Sequence, residues 1–165
     1  LAAAGDPEIK EKLLEGYEVD GKTFNVHIDG FNMLPYFTGE VDESPRKTFF
    51  YISDDGEILA IRHGDWKAVL KEQRAKALAC WAEPFVSLRV PKFFNLRRDP
   101  FERADENSNT YYDWLISHVY LVYGMQALVA QQIEAFTKFP PRGKPAAFNL
   151  DEVMRQLEEA NTPAG

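Results

Sequence analysis

The chain has 165 residues, enough for one domain with its own core and too few for two comfortable ones. Its 45% hydrophobic and 13% aromatic content argues against global disorder. A net charge of −7 argues against a nucleic-acid or anionic-membrane partner, since phosphate binding needs clustered Lys and Arg. The densest basic group, Arg97, Arg98 and Arg103, is interleaved with Asp99, Glu102 and Asp105. Cys80 is the lone cysteine, so no disulfide can form within the chain, and periplasm and cytoplasm both remain open. The longest mostly apolar run, Val119 to Ala130, is interrupted by Gly124 and Gln126 and falls short of the roughly 20 residues a bilayer requires. Leu1-Ala2-Ala3-Ala4 lacks the basic region of a signal peptide, and the missing initiating methionine fits a fragment. The expectation is a soluble protein.

Pro7 to Leu14 reads as a short helix with Asp6 as its N-cap and Gly16 as its stop. Val19, Phe24, Val26 and Ile28 around Asp20-Gly21-Lys22 predict short extended segments about a turn. Asn32 to Phe37 predicts one helical turn. Thr48 to Ile52 is a β-prone run ending in Ser53-Asp54-Asp55-Gly56, a hairpin signal, with Ile58 to Arg62 as the return strand. Gly64-Asp65 turns the chain into a third strand, Trp66 to Leu70. Glu72 to Pro91 reads as an insertion before a fourth strand, Lys92 to Leu96, which stops at Asp99-Pro100. Tyr111, Leu115, His118, Val122, Met125 and Val129 recur at helical spacing, predicting one long helix from Thr110 to Phe139 that lies across the sheet. Pro140-Pro141 ends it, Arg142 to Phe148 reads as linker, and Asn149 caps a last helix, Leu150 to Ala160. The fold class expected is α+β: a small antiparallel sheet of about four strands, a long helix on one face, and short flanking helices.

Few residues suggest chemistry. Asp54-Asp55 after an apolar strand could suit a hard cation, but Gly56 follows directly and a strand resumes at Ile58, so a solvated turn at a hairpin tip is expected. His27, His63 and His118 are too scattered for a metal-ligand spacing; His118 falls on the apolar stripe and is expected to be a hydrogen-bonded packing residue. No Ser-His-Asp set and no glycine-rich phosphate loop can be assembled, so no catalytic and no metal-ligating residue is assigned. Trp81, Phe85, Phe93 and Phe94 could form an aromatic rim, and His63 is the histidine best placed to face a cleft.

Two tracts, Arg62-His63-Gly64-Asp65-Trp66-Lys67 and Phe94-Asn95-Leu96-Arg97-Arg98-Asp99-Pro100-Phe101-Glu102, resemble the C-terminal region of sulfatases, in particular bacterial arylsulfatases of the alkaline-phosphatase-like superfamily. Leu1 to Gly5 resembles a helix tail of that family's large domain, and Asp29-Gly30-Phe31-Asn32-Met33-Leu34-Pro35 resembles its Asp-Gly-x-Asn-Leu-x-Pro tract. The resemblance runs in the family's order from Leu1 to about Leu157. It implies residues 1–46 as the tail of the large domain with a connecting segment, 47–139 as the C-terminal subdomain, and 140–165 as linker and terminal helix. It also implies a parent enzyme that hydrolyses sulfate esters with a formylglycine nucleophile and a divalent cation, commonly calcium. That nucleophile forms within Cys/Ser-x-Pro-x-Arg. Around Cys80 the pattern fails, with Ala82 and Pro84 where Pro and Arg would stand, and no serine satisfies it. The chain is therefore expected to carry no cofactor itself. It would buttress an upstream catalytic domain and border its pocket, with His63, Trp81 and Phe85 as the candidate rim. The sequence also admits a stand-alone interaction or oligomerisation module. If the Phe49-Phe50-Tyr51-Ile52 strand is covered on both faces, an isolated chain would self-associate through it.

Overall fold

The computed structural model describes residues 1–140 and, beyond them, Met154. The expected linker and last helix, at 142–160, lie outside the described residues apart from Met154. Two compact units divide the chain, one of Leu1–Phe49 with Gln126–Pro140, the other containing Phe50–Met125.

In the first unit, α1 (Ile9–Glu15) is followed by a two-stranded hairpin, β1 (Tyr17–Val19) and β2 (Lys22–Phe24). Asp20 and Gly21 both take positive φ, at 50° and 73°, which is the backbone of an Asp-Gly hairpin turn. The hairpin is thus the structure behind the extended segments read there. Asp6 does not cap α1; its carboxylate binds Lys12 Nζ at 2.9 Å instead. The single turn α2 (Leu34–Phe37) closes against Thr38, whose hydroxyl donates back to Leu34 O.

The main sheet has the order β3-β4-β5-β6 and is antiparallel. Its strands are β3 (Thr48–Ile52), β4 (Ile58–His63), β5 (Trp66–Glu72) and β6 (Val86–Asn95). The fold is α+β, as the sequence pattern indicated. Between β3 and β4, Gly56 N–H donates to Ser53 O and Ser53 N–H to Glu57 O, closing the turn that carries Asp54 and Asp55. Gly64 and Asp65 link β4 to β5 as a two-residue turn between the paired His63 and Trp66, with Gly64 at φ 58°.

Strand β6 is longer than the sequence pattern suggested. It begins at Val86, pairs with Glu72, and shifts register between Val69 and Lys71 before pairing Phe93 with Ala68. The stretch ending at Pro91 read as an insertion, yet it belongs to β6, the last strand in the order. An outer edge asks no N–H of a proline.

The expected single helix is two. After α3 (Ala104–Asn107), α4 spans Tyr111–Ser117 and α5 spans Tyr120–Lys138. The break lies at His118 and Val119, where His118 N–H is shared between Trp114 O and Leu115 O at 3.1 Å each. The next bonds run three residues back, from Leu121 to His118 and from Val122 to Val119.

The core of the second unit is small. Ile61, Ala68 and Phe93 lie side by side on three adjacent strands, essentially without exposure. Phe94, Tyr111, Leu115 and Met125 are also buried. Helix α4 closes this core: Trp114 stacks on Trp66 with ring centroids 5.8 Å apart and planes within 7°.

Candidate functional site

The two tracts that carry the family resemblance meet at the end of the sheet where β5 begins and β6 ends. Leu96 N–H donates to Asp65 O at 2.8 Å, and Arg97 reaches the Asp65 carboxylate at 3.3 Å. Asn95 Oδ1 accepts from the N–H groups of Arg97 and Arg98, while the Asp99 carboxylate accepts from Arg103 and Ala104. Lys67 Nζ donates to both oxygens of Glu102 at 2.8 Å and sits 4.5 Å from the centre of the Tyr51 ring.

Glu102 thus pairs with Lys67, 35 residues away in sequence, while its neighbour Arg97 goes to Asp65. The Lys67 side chain is only 14% exposed, whereas that of Arg97 is 81% exposed. A half-buried cation needs its partner more than a solvated one does. Glu102 takes φ 54° in the turn that offers the carboxylate to Lys67. Asp65, Lys67 and Glu102 each meet an opposite charge here and Asp99 meets backbone donors, so the junction is built to hold shape.

A second charged cluster lies along β6. Lys92 Nζ bridges Glu72 at 2.6 Å and Asp105 at 2.7 Å, and Glu72 also takes Arg74 at 2.9 Å. Burial alone would lower the Lys92 pKa; the hydrogen bonds to Asp105 and Glu72 outweigh it and raise the group well above its ordinary value. The hydrogen bond from Lys92 likewise holds the Glu72 carboxyl below its usual range. Beside them Tyr111 Oη accepts from Phe93 N–H at 2.8 Å and donates to Phe93 O at 3.1 Å. Burial pushes the Tyr111 phenol up, with the backbone bond to Phe93 opposing. A lysine fastened between two carboxylates is neither a nucleophile nor a base. The sequence reading missed this cluster; its one signal was Lys92 directly before Phe93 and Phe94.

The candidate rim residues are not drawn together. His63 is exposed at the β4–β5 turn, opposite Trp66. Trp81, in the 3-10 turn Ala77–Trp81, and Phe85, which precedes β6, belong to the other end of β5, where Glu72 pairs with Val86. At about 3.3 Å per residue, the length of β5 puts roughly 20 Å between the two ends. Trp81 is 84% exposed and Phe85 half-buried. Phe93 and Phe94, grouped with them in the sequence reading, are core residues and not rim. Gln73 fastens the Trp81 loop by donating to Cys80 O and Glu83 O. Cys80 is exposed.

The remaining candidates are equally dispersed. His27 lies 3.3 Å from Asp29 and against the Phe139 ring, and His118 packs on Trp114 with ring centroids 4.7 Å apart. Asp54 is exposed in its turn. Among the described residues no group of three or more His, Cys, Asp or Glu is placed to hold a metal ion, and no helix is long and apolar enough to cross a membrane.

In the first unit the other two tracts of the resemblance also come together. Leu1 to Ala3 and Gly30 to Leu34 line one open cleft of about 580 Å³, with Ile9, Ile28 and Phe37 completing an apolar wall. Lys10 crosses its edge, donating to Gly30 O at 3.3 Å and lying 5.0 Å from the Phe31 ring centre. No protein-family model matches this chain, and no curated protein matches it.

Proposed function

We propose that this chain is the C-terminal part of a sulfatase, a non-catalytic piece that buttresses the domain holding the formylglycine and the divalent cation. One observation carries the reading. The four sequence tracts of the resemblance are spread over about a hundred residues, yet they meet in pairs. Gly64 to Lys67 is bound to Asn95 through Glu102, and Leu1 to Ala3 shares a cleft wall with Gly30 to Leu34. Tracts that hold an architecture are expected to behave so. The apolar cleft and the neutralised junction both suit packing against a further domain better than turnover of a substrate.

The test is reconstitution. The reading frame upstream of Leu1 should encode Cys/Ser-x-Pro-x-Arg, and the encoded segment should hydrolyse a chromogenic aryl sulfate with calcium when this chain is added. An upstream frame without the motif, or an upstream segment indifferent to this chain, defeats the reading. A second reading, a stand-alone interaction module, is favoured by the exposed Tyr112, Ile116, Tyr120 and Tyr123 on neighbouring helical turns. A reading frame that opens close to Leu1 would select it.

A further inference from the structure

Burial is costly for a charge unless an opposite charge meets it. Among the described residues five lysines are half-buried, and four of them obey this rule. Lys12 meets Asp6, Lys67 meets Glu102, Lys71 meets Glu57, and Lys92 meets Glu72 and Asp105. Lys10 is the exception. Its Nζ has only the Gly30 carbonyl at 3.3 Å and the Phe31 ring, whose centre lies 5.0 Å away. A second cation shares that ring. The Arg46 guanidinium lies 5.4 Å from the Phe31 centre and donates to the Asp29 carbonyl at 3.4 Å, and among the described residues it meets no carboxylate. The Asp29 carboxylate itself turns to His27, at 3.3 Å.

Lys10 and Phe31 line the apolar cleft of the first unit, so both cations border it. The wall they border is open, with Phe31, Leu34 and Phe37 standing 42, 41 and 73% exposed. Glu11 is the one carboxylate on that wall, and it is exposed to water. We infer that the cleft is the seat for an apolar segment bearing a carboxylate, presented by the upstream domain of the proposed function. The apolar side chains would cover the wall, and the carboxylate would meet Lys10 and Arg46 at its edge, as a charged rim borders an apolar interface core. The inference rests on the sulfatase reading and adds to it the surface used and the chemistry of the partner. Charge decides between occupants. A two-fold pairing centred on this edge would set Lys10 and Arg46 against their own copies, whereas an acidic partner completes the pairing that the other half-buried lysines already have.

Titration calorimetry of the separately produced upstream segment into the 165-residue chain tests it. The wild type should bind saturably, and Lys10→Met should weaken binding about tenfold, with Arg46→Met acting in the same direction. Raising the salt concentration should weaken the wild type more than Lys10→Met. Lys22→Met removes an exposed cation from the β1–β2 hairpin of the same unit and should leave binding unchanged. Arg46→Met, at an exposed position, provides the reading should Lys10→Met not fold by far-UV circular dichroism. Reconstituted hydrolysis of the aryl sulfate with binding indifferent to both variants overturns the inference and leaves the sulfatase reading standing. Equal weakening by Lys22→Met also overturns it, since overall charge would then suffice. So does self-association of the chain that Lys10→Met abolishes, which would give the cleft to a second copy. An upstream segment that ignores the wild-type chain defeats the inference and the sulfatase reading together.

Discussion

Tyr111 gives the outer edge of β6 the two hydrogen bonds that another strand would otherwise provide. Its hydroxyl accepts from Phe93 N–H and donates to Phe93 O, both buried. Tyr111→Phe therefore leaves one donor and one acceptor unmatched and should cost about 1–3 kcal/mol. Urea unfolding should show a lower midpoint with an unchanged slope. Burial raises the phenol's pKa, so its contribution is complete below the unfolded value of about 10 and is lost as pH rises through the higher folded value. The variant should accordingly lack that alkaline component of the wild-type pH profile.

Lys92 is the other residue on which much depends, because Glu72 and Asp105 both face it. Lys92→Met leaves two half-buried carboxylates without their shared cation, and a loss of about 1–3 kcal/mol at neutral pH is expected. The acid side gives an independent check. The folded pKa of Glu72 is lowered by its hydrogen bond to Lys92, so the stability it contributes is present above the unfolded value of about 4.3 and lost as pH falls through the folded one. Thermal melts from pH 6 downward should show wild type losing that increment, and Lys92→Met having little of it to lose.

At the scale of elements, turn chemistry was the most legible part of the chain. Asp20-Gly21, Gly56 and Gly64-Asp65 were each read as turns, and each closes a hairpin, with Gly21, Gly56 and Gly64 at positive φ. The Gly64 position permits a direct measurement. A Cβ there would touch nothing within 4 Å, so the cost of Gly64→Ala is backbone conformation alone, about 1–2 kcal/mol. The urea midpoint should fall by that amount, while amide chemical shifts in β4 and β5 keep the register. Two elements were misread for reasons of context. The first half of β6 was read as insertion, since no sequence pattern says which strand will be outermost and so able to hold Pro91. The break between α4 and α5 was hidden because the apolar stripe runs unbroken through His118. Of the candidate site, the turns at Gly64-Asp65 and Asp99-Pro100 were legible in the sequence. The Lys67–Glu102 and Lys92 pairings were not, since long-range ion pairs leave no local spacing.

At the scale of the whole molecule, the chain's chemistry is set by which groups remain available to react. Lys67 and Lys92 are both held by carboxylates, and Cys80 and Asp54 lie singly in exposed turns. No Cys/Ser-x-Pro-x-Arg tract occurs anywhere in the sequence, so a formylglycine nucleophile has no place to form. The 165-residue chain should therefore leave a chromogenic aryl sulfate untouched with calcium present. A melting temperature equal in millimolar calcium and in EDTA is expected too, because a ligand that binds the folded state must raise it. Hydrolysis that persists through purification and disappears on substitution of a residue in this chain would place catalysis here and overturn the assignment of these residues to architecture. A calcium-dependent rise in melting temperature abolished by Asp54→Asn or Asp55→Asn would do the same for the β3–β4 turn.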